Sequence, residues 1–130
     1  MDDKTKSGVK VIAATDDTPS IILDKRNLII RIEGPSFPED AVEFYSVVIT
    51  WLRELNDDID GELICDMDFT ILSSASNKMI FEILIKLEKM YLSGKSIRVN
   101  WYYESFDEDM LDEGKSFKES MKMPVELLEK

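Results

Sequence analysis

Hydrophobic and polar positions change period several times along the chain, and each change marks an element. Ser20-Ile21-Ile22-Leu23 and Leu28-Ile29-Ile30-Arg31-Ile32 are β-branched runs separated by Asp24-Lys25-Arg26-Asn27. Turn residues in a gap of that length predict an antiparallel hairpin. Val9 to Ala14 is expected as a further short extended piece, and residues 1–8, polar and without period, as a disordered, frayed terminus. Gly34-Pro35-Ser36-Phe37-Pro38 breaks the extended run. Pro38 followed by Glu39 and Asp40 then predicts a helix start, with carboxylates in the first turn. Phe44, Val48, Trp51 or Leu52, and Leu55 recur at three and four residues, one buried stripe that ends at Asn56-Asp57-Asp58.

The next forty residues predict strand, helix and strand. Glu62 to Phe69 is apolar at most positions up to Cys65, and Asp66 and Asp68, two apart, point to one face if the strand continues. A hydroxyl-rich turn, Thr70-Ile71-Leu72-Ser73-Ser74-Ala75-Ser76, leads into a helix over Ser74 to Leu92. That helix buries Ile80, Ile83 or Leu84, Leu87 and Tyr91 and keeps the pair Glu82 and Lys86 outside. Gly94 stops it, and Ile97 to Tyr103 is the fourth strand. Glu104 to Glu113 holds six acids and no base and is expected as an acidic loop. Gly114, a short helical segment near Phe117 to Met121 and a last strand at Pro124 to Leu128 follow. The expectation is therefore one α/β domain spanning 1–130, with a mixed sheet of four to five strands and helices packed on it. Trp51, Trp101, Leu52, Ile83, Leu84 and Leu87 are expected in its core.

Composition narrows the function. A chain of 130 residues can bury roughly two thirds of its unfolded surface, enough for a core without metal or disulfide staples. Sixteen basic against 27 acidic residues give a net charge of −11, spread along the chain, which argues against nucleic acid or an anionic membrane as partner. The lone Cys65 has no disulfide partner, and no secretory segment or apolar run of about 18 residues is present, so a cytoplasmic chain is expected. With no histidine, Ser-His-Asp and Cys-His nucleophile systems and ordinary zinc sites are excluded. No cofactor is expected.

Three stretches could carry chemistry. The acids Asp107 to Glu113 lack the alternation of a calcium loop. Leu63 to Leu72 resembles the first motif of haloacid-dehalogenase-type phosphatases, in which Asp66 would be nucleophile and Asp68 acid/base, both holding Mg²⁺. Phe69 stands where that motif needs a turning Gly, and the next strand ends in aromatics rather than a phosphate-binding hydroxyl. The third stretch is the serine turn. A helix start leaves backbone N–H groups unpaired at the positive end of the dipole, so a serine there is either an N-cap or a phosphorylation site whose product the helix would hold.

Read in order, Ile32 to Asp40, Val48-Ile49-Thr50-Trp51-Leu52, Leu72 to Lys78 and Asn100-Trp101-Tyr102-Tyr103-Glu104 with its acidic continuation to Leu111 resemble the SiaC family of bacterial regulatory phosphoproteins. That resemblance implies a STAS-like fold similar to anti-sigma-factor antagonists. It also implies a non-enzymatic role in partner switching, controlled by reversible phosphorylation at a helix start. The family pattern Leu-Asn-Thr-Ser-Ser falls on Leu72 to Ser76, placing the acceptor Thr on Ser74, with Ser73 and Ser76 as competing hydroxyls. Asp66, Asp68, Ser73, Ser76, Asn77 and Lys78 are the implied partner-binding residues, with Asp66 structural and Asp68 serving the turn or the kinase's site. The implied partners are a Ser/Thr kinase with a histidine-kinase-like ATP fold, a PP2C-type phosphatase, and a diguanylate cyclase in biofilm control that binds the unphosphorylated form.

Overall fold

The computed structural model describes residues 8–55 and 59–130. The expected frayed start, apart from Gly8, and the expected helix end at Asn56-Asp57-Asp58 lie outside the described residues. Six strands form one sheet in sequence order: β1 (Val9–Ile12), β2 (Ser20–Asp24), β3 (Ile29–Ser36), β4 (Glu62–Leu72), β5 (Ser96–Tyr103) and β6 (Val125–Glu129). β1, β2 and β3 pair antiparallel, and β3 to β6 pair parallel. Three helices make the parallel crossovers: α1 (Ala41–Leu55), α2 (Ser74–Leu92) and α3 (Glu108–Ser120). Successive parallel crossovers in one direction across a sheet keep one hand, so all three helices pack on the same face. Ile30, Ile32, Leu63, Cys65, Met67, Val99 and Trp101 point into that face and join Tyr45, Val48, Leu52, Ile80, Ile83, Leu84 and Leu87 in one buried cluster.

The sheet has one strand more than the largest number expected, because β1 pairs in full register with β2 and β6 adds to β5. The hairpin turn has the expected four residues but lies one position later, at 25–28: Asp24 ends β2, and Leu28 takes a left-handed conformation (φ 56°). Gly34 and Pro35 do not end β3. A register shift opposite Phe69 and Ile71 lets the strand continue to Ser36 and β4 to Leu72. In α1 the stripe is Tyr45, Val48, Leu52 and Leu55, so Trp51 and Phe44 are half-buried at its margin rather than in the core. Likewise Tyr91 is half-buried while Met90 takes the inward position.

The largest correction concerns the acidic segment. Residues 108–113 are the first half of α3, because Asp107 accepts from Met110 N (3.0 Å) as N-cap and Glu108 and Asp109 face the positive end of the dipole. Gly114, expected between the acidic loop and a short helical segment, sits mid-helix. A Cβ there would lie 2.4 Å from Trp101 Cδ1 and 2.8 Å from Leu127 Cδ2. Trp101 Nε1 also donates to the Met110 carbonyl (2.9 Å), so the helix rides directly on the indole.

Candidate functional site

β4 runs straight into α2, and the turn between them is built by hydroxyls. Ser73 is the N-cap: its backbone is extended, its Oγ accepts from Ser76 N (3.1 Å), and its carbonyl accepts from Asn77 N (2.8 Å). The Ser73 amide donates to the Ser36 carbonyl (2.9 Å), which ties the turn to the end of β3. Ser76 is fully buried, and its Oγ accepts from Ser36 Oγ (2.8 Å), which in turn lies 2.5 Å from the Tyr45 hydroxyl. Burial pushes the Tyr45 phenol up to about 12 despite the opposing effect of the neighbouring Ser36 and Ser76 hydroxyls, so it keeps its proton. Asn77 donates to the Glu113 carboxylate and is half-buried against α3. Ser74, Ala75 and Lys78 are exposed. Of the three serines in the turn, one caps, one is buried and one, Ser74, faces out.

The three helix starts differ in charge. α1 begins with Asp40 accepting from Glu43 N (3.1 Å), and α3 with Asp107, Glu108 and Asp109. α2 has no acidic residue in its first turn. Its positive dipole end is capped by a neutral hydroxyl only, a place where an added anion is stabilised. β3, β4 and β5 are parallel, so their carboxyl ends share one edge with this turn. That edge also carries exposed apolar side chains that the sequence reading missed: Phe37 at 43 %, Val42 at 66 %, Ile71 at 53 % and Phe106 at 80 %. Phe37 and Phe106 follow the ends of β3 and β5, Ile71 lies in the bulged end of β4, and Val42 is in the first turn of α1. A shallow groove between the starts of α1 and α2 runs alongside, lined in part by Phe44, Ala75, Lys78 and Met79.

Asp66 and Asp68 are placed elsewhere. Both point from mid-β4 to the face that carries no helix. Asp66 accepts from Asn100 Nδ2 (2.9 Å) and lies 3.5 Å from Arg31. Asp68, 6 % exposed although no helix covers it, takes Lys130 Nζ at 2.8 Å and Arg31 at 3.8 Å. Arg31 also stacks over Tyr102, 5.7 Å from its centroid. The hydrogen bond to Asp68 raises the Lys130 pKa, with Glu104 adding to it. The strand continues four residues past Asp68, so neither carboxylate reaches the strand end where a phosphatase of the haloacid-dehalogenase kind would need it. Among the described residues no group of three or more His, Cys, Asp or Glu is disposed to hold a metal. Burial and the charge of Asp66 push the Cys65 thiol up, so it stays a protonated core residue.

The profile of the SiaC family of regulatory phosphoproteins matches residues 12–130. The chain belongs to the SiaC family. Apo-SiaC of Pseudomonas aeruginosa superposes with a TM-score of 0.85 at 25 % identity, covering 92 % of this chain and 98 % of that one. The crystal structure of the diguanylate cyclase SiaD in complex with its activator SiaC, from the same organism, matches with a TM-score of 0.88 at 26 % identity, over 93 % and 99 % of the two chains. An uncharacterised protein of Pseudomonas aeruginosa strain UCBPP-PA14 is 27 % identical over 113 residues, 87 % of this chain and 90 % of its own length. Membership in this regulatory family and the six-stranded sheet agree with the fold expected for a SiaC-like α/β chain. No helix among the described residues is long and apolar enough to cross a membrane.

Proposed function

We propose that this SiaC family chain is a non-enzymatic cytoplasmic switch that binds and activates a diguanylate cyclase, and so acts in biofilm control, while Ser74 is unmodified. Phosphorylation of Ser74 releases the cyclase. A Ser/Thr kinase with a histidine-kinase-like ATP fold and a PP2C-type phosphatase set its state. The observation that carries the reading is the exposure of Ser74 alone among the turn's three serines, at a helix start whose own first turn has no acidic residue. The related SiaC is described as an activator bound to its cyclase, which supplies the partner class.

The physical chemistry of the switch follows from the surroundings. Phe37, Val42, Ile71 and Phe106 offer a partner apolar area at the edge that carries Ser74. A phosphate adds about −1.5 to −2 charges and three acceptor oxygens there, which the amides at the start of α2 can hold but an apolar interface cannot desolvate cheaply. Partner contacts are assigned to Ser74, Lys78 and this apolar edge. Ser73, Ser76 and Asn77 shape the turn, and Asp66 and Asp68 hold the opposite sheet face together. In cells where the kinase is active, Ser74→Ala is expected to stay bound to the cyclase and Ser74→Asp to bind more weakly than Ser74→Ala. Co-purification of the cyclase with each variant tests this, and equal recovery with both would contradict it.

A further inference from the structure

We propose that the buried hydroxyl chain Tyr45–Ser36–Ser76 selects which of the three serines in the turn is presented to partners. The inference rests on Ser74 as the acceptor, and it assigns a role to two residues, Ser36 and Tyr45, far from it in sequence. Ser36 has one hydroxyl proton and gives it to Ser76 Oγ, so the short contact with Tyr45 is a donation from the phenol. The hydrogen bonds therefore run in one direction, Tyr45 to Ser36 to Ser76, linking α1, β3 and the first turn of α2. All three residues are fully buried.

Apolar side chains of similar volume would fill this space without the cost of burying three hydroxyls, and a fully satisfied buried polar network chiefly fixes one arrangement among several. What it fixes here is the rotation of the α2 start. Ser36 holds the turn twice, by its side chain to Ser76 and by its carbonyl to the Ser73 amide (2.9 Å). Successive residues of a helix are about 100° apart, since one turn takes 3.6 residues. A rotation of the first turn by one or two positions would bring Ser76 outward and turn Ser74 away. Three neighbouring hydroxyls would otherwise be near-equivalent substrates. The chain of hydroxyls makes Ser76 the inward one, leaves Ser73 as the cap, and leaves Ser74 alone for a kinase. Ser36 and Tyr45 are thus positioning residues.

Two variants that remove one link each, Tyr45→Phe and Ser36→Ala, test this, with Ser36→Thr restoring a hydroxyl. Each chain is recovered from its native cells, its phosphate is located by peptide mapping, and amide hydrogen exchange is followed at Ser76 and Asn77. The expected result is phosphate on Ser74 alone in the wild type and in Ser36→Thr. In Tyr45→Phe and Ser36→Ala it should spread to Ser73 or Ser76, and the two amides should exchange about fivefold faster, as loss of one hydrogen bond of ~1 kcal/mol implies. Wild-type exchange rates in both variants overturn the positioning role whether or not phosphate is found. A wild-type chain that carries no phosphate overturns the acceptor reading of Ser74 instead.

Discussion

The two polar clusters at either side of β4 differ in how they are satisfied. On the open face, Asp66 and Asp68 are closed off by their own neighbours, Arg31, Asn100 and Lys130, within hydrogen-bond or ion-pair distance. At the strand's end, the serine turn is capped by Ser73 and tied to β3 through Ser36, yet leaves one hydroxyl outward on a first helical turn with no acidic residue of its own. Carboxylates two apart on a strand look like chemistry, but here their charge is spent on holding the sheet. The neutral turn, which looks like capping, is where the proposed acceptor Ser74 faces out.

The contrast between the two faces of β4 sets the scale of the expected effects. Met67, fully buried on the helix-covered face, should lose about 2–5 kcal/mol of stability as Met67→Ala. Ile64, half-buried on the open face, should lose less than half of that as Ile64→Ala. Urea denaturation of the two variants measures the difference, and equal losses would mean that something covers the open face.

Gly114→Ala comes next. Its new methyl meets the Trp101 indole and Leu127 with no room between helix and sheet, so about 1–3 kcal/mol should be lost, read as a lowered urea midpoint. An unchanged midpoint would show that α3 can lift off the indole freely.

Smaller again is the carboxylate pair. Asp68→Asn strips the partner from two converging cations and is expected to cost about 1–2 kcal/mol. Asp66→Asn, with its Asn100 contact kept and a longer ion pair, should cost under ~1 kcal/mol. If Asp66→Asn proved the more damaging, the assignment of Asp68 as the anchor of the open face would fail.

Alkali should separate the same two regions. Tyr45 is held protonated up to about 12 in the folded chain against 10.0 unfolded, so above pH 10 the unfolded state releases a proton that the folded state keeps. Stability therefore falls as pH rises from 10 to 12. Lys130, whose folded pKa lies above 10.5, acts in the same direction: its contribution is present below 10.5 and lost as pH rises through the folded value. Tyr45→Phe should flatten the decline in a pH series of thermal melts more than Lys130→Met does, because the phenol is fully buried and the lysine is partly exposed.

Much of this was legible from period and punctuation. α2 spans the residues that its apolar repeat and the flanking Ser73 and Gly94 mark, and the hairpin and β5 lie where β-branched runs put them. The misses have tertiary causes. Gly114 reads as lying ahead of a short helix near Phe117, yet it is a mid-helix residue in close approach to Trp101, and that approach exists only once β5 and β6 are paired. Gly34-Pro35 reads as a break, but the register shift absorbs it and carries β3 on to Ser36. In the candidate site, the Ser73–Ser76 cluster was visible, but its division of labour was not. Which serine caps, which is buried and which is exposed depends on Ser36 and Tyr45, residues some thirty to forty positions away with no motif of their own. The three helix starts did carry a signal in the sequence: Asp40 and Asp107 open theirs with acids, and the serine turn opens with none.

The most direct test of the account is calorimetric titration of the diguanylate cyclase from the same cells with two preparations of this chain, one unmodified and one phosphorylated on Ser74. The unmodified chain should bind and the phosphorylated chain should show at least a tenfold loss of affinity, about 1.4 kcal/mol. Equal affinity of the two preparations would contradict the switch.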